Sequence, residues 1–302
     1  MPKQNHDKPP HQSAADWCGG KIKCGLIGLG RWGKNYLRLL QDMPGVTLRA
    51  SVSSANVSSI FSDPEIDAVF IVTPPTTHYA LIEAGLKSGK YIFVEKPMVL
   101  SVSEAEKLKT LAAQSGKIFM VGFQYLFNDN INYLKTELEK GTFGKIISTK
   151  SEHFLSPLRS DVSIFWDAAP HPLSVFQYLF NPKKLITAVG KMEHDSTDIK
   201  VEFENAPALE ITESYFGQTK IRKLTIKGEM ATAVLDETLQ KNKLAILVNG
   251  KTTYPEIAVN EPLRTEIEHF IHCVQTGETP LTDINFGCQI TEWLETISKK
   301  IR

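Results

Sequence analysis

The end of one apolar run carries side chains that could take part in chemistry. Residues 91–97, "YIFVEKP", read as a buried strand that finishes with Glu95, Lys96 and Pro97. Two interpretations are open from these residues alone. In one, the charges are solvated and the proline stops the strand. In the other, the strand delivers the Lys96 amine to a ligand, since ligands bind at the carboxyl ends of strands in open α/β sheets.

A glycine-rich loop is the second candidate site. Gly28, Gly30 and Gly33 form G-x-G-x-x-G between an apolar run and a stretch with helical spacing. Gly28 permits a tight turn, Gly30 lets the backbone approach a pyrophosphate, and Gly33 lets the helix pack on the strand. The helix N-terminus then faces the phosphate charge. This context predicts dinucleotide binding rather than a merely structural turn. The other loop residues placed at the cofactor are Leu29, Arg31 and Trp32.

The position that would select between NAD and NADP is ambiguous. The acidic residue expected about 20 positions beyond the loop is absent, and the second apolar strand ends at Ser53 instead. A serine does not repel a 2′-phosphate, yet Ser54 and Ala55 follow where an arginine would bind one. Both cofactors therefore stay open. The segment from 53 to 63 is also short for a full helix.

The elements that must position these residues follow two patterns. From residue 21 to 122, apolar strands alternate with helices, which predicts a Rossmann domain with a doubly wound parallel sheet. From 123 to 302, a helix and a helical patch around 170–180 accompany closely spaced strand-like runs and two final helices. This predicts an α+β domain with a largely antiparallel open sheet for the substrate and for oligomer contacts. Residues 1–20 are predicted to be a flexible tail.

Composition narrows the function classes. The chain has 302 residues, of which 42% are apolar and 23% charged, and 34 basic residues balance 34 acidic ones. No basic surface is needed to explain this balance, so nucleic acid is an unexpected partner.

No apolar run is long enough for a membrane span, and the N-terminus lacks a secretory pattern. Cys18, Cys24, Cys273 and Cys288 show no metal-site spacing. We expect no metal, reduced thiols and a cytoplasmic location.

Several segments resemble the Gfo/Idh/MocA oxidoreductase family. They are "GLIGLGRWG", residues 66–108 from "IDAVFIVTPP" to "EAEKL", and "EPLRTEIEHFIHCVQTGETPLTD". The likeness runs over residues 22–302, with the shortened stretch near 53–63 as the main departure. It implies a nicotinamide cofactor and hydride transfer at a sugar or cyclitol hydroxyl. Some segments resemble members that act on nucleotide sugars.

The resemblance also implies catalytic residues. Lys96 matches the lysine of the family's E-K-P motif, and Asp167 and His171 match its D-x-x-x-H pair. An imidazole suits removal of a hydroxyl proton as hydride leaves the carbon, and an ammonium would stabilise charge on the oxygen. We assign His171 as acid/base, Lys96 as polarising partner and Asp167 as positioner. Because Pro170 and Pro172 indicate a helix that begins near 170, Asp167 is expected just outside it.

Further contacts are expected around these residues. Thr73, Pro74 and His78, in the family's P-P-x-x-H pattern, are placed on the nicotinamide side of the cleft, with Glu95 among the cofactor contacts. Asn128 and Arg159 are candidate substrate contacts, and an arginine fork suits a phosphate.

Two other functions stay open at this point. One is reduction of another small molecule, as in biliverdin reductase, which has a tyrosine where Lys96 stands. The other is a non-catalytic dinucleotide sensor. The oligomer is expected to be a dimer or tetramer of identical chains.

Overall fold

Five short strands form the first sheet of the molecule. The computed structural model describes residues 20–53, 56–154, 161–216 and 219–301. The strands are β1 (Ile22–Ile27), β2 (Val46–Val52), β3 (Ala68–Ile71), β4 (Tyr91–Glu95) and β5 (Phe119–Gly122). They pair in the order β2-β1-β3-β4-β5, and each pair is parallel. The parallel sheet predicted from the alternation is confirmed.

Helices connect these strands and cover both faces of the sheet. They are α1 (Gly33–Asp42), α2 (Ser58–Ser62), α3 (His78–Lys87) and α4 (Val102–Ser115). Ser101 caps α4 through its side chain, which accepts from the Glu104 N–H, and Gly116 ends that helix in the left-handed conformation. The second crossover is only five residues of helix, as the short 53–63 segment predicts. Its Ile60 packs against β1 at Gly25, where a Cβ would lie 2.8 Å from Ile60 Cγ2.

The remaining described helices are α5 (Asp129–Glu139), α6 (Ile164–Ala168), α7 (Pro170–Phe180), α8 (Pro262–Thr276) and α9 (Ile284–Lys300). The last two return to the first sheet. Phe270 of α8 makes edge contacts with Phe70 and Phe93, at 5.3 and 5.5 Å between ring centroids. Thr282, just before α9, donates from its hydroxyl to the Val121 carbonyl of β5. The predicted domain boundary at 122/123 stays a prediction. Residues from both sides of it pack against the first sheet.

Eight strands form the second sheet. They are β6 (Ile146–Phe154), β7 (Leu185–Met192), β8 (Ser196–Phe203), β9 (Leu209–Ser214), β10 (Ile221–Gly228), β11 (Ala231–Asp236), β12 (Leu244–Val248) and β13 (Lys251–Thr253). Their order is β13-β12-β11-β10-β6-β9-β8-β7, antiparallel except for the β6–β9 pair. The largely antiparallel sheet is confirmed, and only the short edge strand β13 was not expected from the sequence.

The structure adds detail to one local prediction. The helix beginning at Pro170 is present as α7, and Asp167 lies just outside it, as expected. It belongs to α6, a separate five-residue helix that leads into α7 through Ala169. Asp167 therefore has a fixed backbone, with its N–H donating to the Ser163 carbonyl at 3.0 Å.

Candidate active site

Packing within the protein requires glycine at two positions of the glycine-rich loop but not at the third. Gly28 has φ +105°, and a Cβ there would lie 2.0 Å from the Val72 carbonyl oxygen. A Cβ at Gly33 would lie 2.0 Å from the Gly28 carbonyl oxygen. A Cβ at Gly30 would meet no protein atom within 4 Å, and Gly30 is exposed. No internal packing accounts for this third glycine. The open space beside it, at the start of α1, fits a pyrophosphate.

Glu95 lies beneath this loop and is bonded by residues of the loop and α1. Its Oε1 accepts from the Trp32 indole N–H at 2.5 Å and from the Tyr36 hydroxyl at 2.6 Å. Its Oε2 accepts from the Lys96 backbone N–H at 3.0 Å. Burial raises the pKa of Glu95, against the lowering effect of these hydrogen bonds and the Lys96 charge. Glu95 is only 8% exposed. Its hydrogen bonds therefore connect the glycine loop to the Lys96 backbone in the protein interior. A direct contact with the cofactor stays a prediction.

His78 makes a similar connection at the next strand end. Its ring nitrogens lie 2.9 Å from the Pro97 carbonyl oxygen and 2.9 Å from the Thr73 carbonyl oxygen. The ring is fully buried. Pro74, by contrast, is exposed at the end of β3, and half-buried Thr73 shares a hydrogen bond with Thr77. This placement favours a structural or wall role for His78 over proton transfer.

Lys96 and Asp167 meet across 71 positions of sequence. The Lys96 ammonium donates to the Asp167 backbone carbonyl at 2.5 Å and lies 3.3 Å from Asp167 Oδ1. Both side chains are only 13% exposed. The Tyr215 hydroxyl donates to Asp167 Oδ2 at 3.0 Å. Asp167 thus holds the lysine that β4 delivers, and Tyr215 holds Asp167.

His171 lies one helical turn beyond Asp167, at the start of α7. Burial lowers the pKa of its imidazole well below the usual range, and the charge of Lys96 lowers it further, followed by His153 and Arg222. The ring packs edge-on against Tyr125, with 4.7 Å between centroids. Its Nδ1 is buried and has no hydrogen-bond partner among the described residues. The imidazole is therefore neutral near pH 7, and its Nδ1 is available for a hydrogen bond to a ligand.

Comparison with known proteins identifies the family. Residues 22–123 match the Gfo/Idh/MocA family, described as an oxidoreductase family with an NAD-binding Rossmann fold. The chain is 27% identical to scyllo-inositol 2-dehydrogenase (NAD(+)) of Bacillus subtilis, across 88% of this chain and 90% of that protein. Residues 22–123 thus match the Gfo/Idh/MocA family through its NAD-binding Rossmann domain. The chain is an NAD(P)-dependent oxidoreductase.

Two further proteins show the range of the likeness. UDP-N-acetylglucosamine 3-dehydrogenase of Acidithiobacillus ferrooxidans is 23% identical, across 84% of this chain and 88% of its own. A solved structure of KijD10, a 3-ketoreductase from Actinomadura kijaniata in complex with TDP-benzene and NADP, superposes with a TM-score of 0.84. That structure is 16% identical and covers 94% of this chain and 98% of its own. At this identity, it supports the shared fold alone.

The other predicted site residues are dispersed. Exposed Ser53 follows β2, Leu29 is half-buried, and Arg31 is exposed in the glycine loop. Asn128 is 4% exposed. Its Oδ1 accepts from the Asn130 N–H to cap α5, and its Nδ2 donates to Glu237 at 3.0 Å. Its amide is thus engaged within the protein, and a substrate contact stays a prediction. Arg159 lies outside the described residues.

Sequence reasoning missed a row of polar side chains across the second sheet. The register places Arg222 opposite His153, His153 opposite Glu213, and Glu213 opposite Thr197. His153, Glu213 and Thr197 are buried. Burial raises the pKa of Glu213 well above its usual range, with Asp167 raising it further, which favours the neutral acid. The row lies under Lys96, Asp167 and His171 and extends the candidate site onto the sheet.

Three further findings concern the described residues as a whole. In the described part of the chain, no group of three or more histidine, cysteine, aspartate or glutamate side chains is arranged to hold a metal ion. Within those same ranges, no helix combines the length and apolarity that crossing a membrane requires. The described cysteines, Cys24, Cys273 and Cys288, are buried free thiols.

Proposed function

We propose that this oxidoreductase transfers hydride between a nicotinamide cofactor and a carbinol carbon of a sugar, cyclitol or nucleotide-linked sugar. The observation that carries the proposal is the Lys96–Asp167 ion pair at the carboxyl end of β4, with His171 close enough for the Lys96 charge to lower its pKa. The backbone of Lys96 is joined through Glu95 to the loop that begins α1. A cofactor pyrophosphate at Gly30 and a substrate at Lys96 would thus lie on one connected framework.

The three side chains divide the proton chemistry between them. Bound NAD or NADP would accept hydride from the carbinol carbon, or return it to the ketone. In oxidation, neutral His171 takes the hydroxyl proton, as its lowered pKa allows. The Lys96 ammonium stabilises negative charge developing on the same oxygen. Asp167 positions that ammonium at 3.3 Å, while Tyr215 restrains Asp167. In the reverse direction each proton returns along the same path.

The substrate class rests on the relatives. Scyllo-inositol 2-dehydrogenase and UDP-N-acetylglucosamine 3-dehydrogenase are each matched over most of their length. Both names describe a dehydrogenase that acts at a ring carbinol. We carry this chemistry to the present chain and leave the choice between NAD and NADP to measurement, because Ser53 selects neither.

Turnover and cofactor binding must be measured separately to test the function. The purified chain is titrated with NADH and NADPH by fluorescence, then assayed on inositols, sugars and UDP-sugars by absorbance of the reduced cofactor. Lys96→Met and His171→Ala should each lower kcat by at least about 100-fold, a typical contribution of acid–base catalysis, while cofactor binding persists. Glu83→Gln serves as the control variant. Glu83 lies on α3 with a partly exposed side chain that pairs with Lys87, so this variant should keep wild-type kcat.

The alternatives give different results in the same assay. Turnover of a tetrapyrrole, with none on sugars or polyols, would replace the proposal by a biliverdin-reductase-like activity. Cofactor binding without turnover on any of these compounds would replace it by a dinucleotide sensor.

We also propose a cytoplasmic homo-oligomer of two or four chains. The second sheet supports the oligomer, because its strands expose the apolar side chains of Ile147, Ile186, Val189 and Leu247. Free thiols at the described cysteines agree with a reducing compartment. Light scattering after gel filtration measures the mass directly. A monomer at micromolar concentration would overturn the oligomer proposal.

A further inference from the structure

A partly open cavity lies beside the catalytic groups, on the inner face of the second sheet. The free space around its lining, open solvent included, is about 350 Å³. Tyr125, His153, His171 and Arg222 line one part of it. His171 belongs to both this cavity and the catalytic group, so a molecule whose carbinol lies against His171 has its remaining atoms directed toward the sheet. Arg222 lies at that end, opposite His153 in the strand register.

The two imidazoles in the cavity are uncharged. Burial lowers the pKa of His153 to about 3, and the Arg222 and Lys96 charges contribute to that shift. The pKa of His171 is lowered for the same reasons, again with Arg222 among the causes. Both rings therefore lie close enough to the Arg222 guanidinium for its charge to lower their pKa values. Neither ring carries a negative charge that could balance the guanidinium. Tyr125 is also kept protonated, since burial raises its pKa more than the neighbouring Arg222 lowers it.

The carboxylates near the cavity are already engaged. Glu237 lies 3.2 Å from the Lys243 ammonium and accepts from Asn128 at 3.0 Å. Asp236 lies 3.4 Å from Lys223 and accepts hydrogen bonds from Thr238. Asp167 is shared by Lys96 and Tyr215.

Arg222, in contrast, has no carboxylate within 4.0 Å among residues 20–53, 56–154, 161–216 and 219–301. Buried or half-buried charges in proteins are normally paired. Glu237 also lines this cavity, but its carboxylate is held by Lys243 and Asn128. A guanidinium that faces a cavity without a carboxylate of its own is complementary to an anion, and its fork of N–H donors matches the two oxygens of a carboxylate or phosphate.

We infer that Arg222 binds an anionic substituent of the substrate, a carboxylate or a phosphate, while the reacting carbinol lies against His171 and Lys96. The inference rests on the proposed function for the identity of the reacting group. It narrows the substrate class from sugars in general to acidic sugars, either sugar acids or sugar phosphates. Neutral cyclitols would fill the same cavity but leave the guanidinium without a counter-charge, so they are expected to bind more weakly.

The test compares three hexose probes in the full-length protein. Glucose is neutral, glucuronate carries a carboxylate, and glucose 6-phosphate carries a phosphate. Their binding is measured by calorimetry with NADH or NADPH present, because a reduced cofactor cannot oxidise the ring hydroxyls of the probes. The wild type should bind one of the two anionic probes about 10- to 100-fold more tightly than glucose, the range expected for hydrogen bonds to a charged group. The tighter of the two identifies the anion.

Three variants make the result specific. Arg222→Gln should abolish the preference, bringing the anionic probe to within about threefold of glucose, and Arg222→Lys should retain part of it because charge persists without the fork. Lys227→Gln removes an exposed cation from the same strand and should change nothing. Thermal melting of each variant checks that it is folded, and Arg222→Lys keeps the test valid if Arg222→Gln does not fold.

Specified outcomes separate this inference from the proposed function. Equal affinity of the wild type for glucose and both anions, or a preference that survives in Arg222→Gln, overturns the inference even if sugars are oxidised. Absence of turnover on every compound overturns the proposed function. An Arg222-dependent preference in the binding assay would then still support the anion site, since that assay does not depend on turnover.

Discussion

The glycine loop yields a prediction in which stability and binding separate. Replacing Gly30 by alanine adds a Cβ that meets no protein atom within 4 Å, at a residue outside the left-handed φ region. The folded state therefore tolerates the change, and loss of unfolded-state freedom should stabilise the protein by about 0.4–1 kcal/mol. The free energy of unfolding, measured by urea denaturation with circular dichroism, should be unchanged or slightly higher.

Cofactor binding should respond in the opposite direction. The new methyl group occupies the space in which the pyrophosphate would approach the backbone. Loss of one charge-assisted hydrogen bond costs about 1.5–3 kcal/mol, which corresponds to a rise of about 10- to 150-fold in the Kd for NADH or NADPH. Fluorescence titration measures this Kd directly.

Gly28→Ala is the matched comparison. Its φ of +105° and a Cβ only 2.0 Å from the Val72 carbonyl oxygen require a backbone shift. Backbone strain alone costs about 1–3 kcal/mol, so this variant should lose stability as well as binding. An unchanged Kd in Gly30→Ala would refute the reasoning, because the pyrophosphate would then not lie against this residue. A large loss of stability in Gly30→Ala would refute the packing argument.

Three other predictions concern the groups around the site. Removing the hydroxyl in Tyr215→Phe deletes a donor to the Asp167 carboxylate, so kcat should fall about 10-fold with unchanged cofactor Kd; an unchanged kcat would show that Asp167 needs no such restraint. Trp32→Phe removes an indole donor to buried Glu95 and should cost about 1.5–3 kcal/mol of stability in urea, and a cost near zero would contradict the network. Since the folded pKa of His153 is about 3 against 6.5 for an unperturbed histidine, the unfolded chain takes up the proton first as pH falls, and stability declines from about pH 6.5 towards 3. His153→Gln should make that decline shallower by about 1.4 kcal/mol per pH unit, and parallel slopes for variant and wild type would refute the shift.

The local elements were predictable because their signals lie within a few residues. The glycine spacing, the apolar run ending at Lys96 and the short second crossover each depend on neighbours in sequence. The helix beginning at Pro170 was predictable for the same reason. Asp167 lies outside that helix, as expected, but the sequence did not show that it belongs to a helix of its own, because a five-residue helix such as α6 carries too few turns for a periodic pattern.

The polar row across the second sheet had only a weak signal. In β6, polar residues occupy both faces, with Ser151 and His153 inward and Lys150 and Glu152 on the other face. An alternation that is polar on both sides does not indicate which face is buried. Only the pairing of β6 with β9 and β10 brings His153 beside Glu213 and Arg222.

What the sequence by itself determined is the class of molecule: a dinucleotide loop, a parallel sheet behind it, and a lysine at the end of β4. Those features follow from local propensity and from the alternation of strands and helices. The tertiary structure alone decided which side chains Lys96 meets, that Glu95 lies under the loop, and that Arg222 faces the cavity with no carboxylate partner among the described residues. Each of these depends on strand register and helix packing between residues far apart in the chain, and long-range contacts of that kind leave no periodic mark in a single sequence.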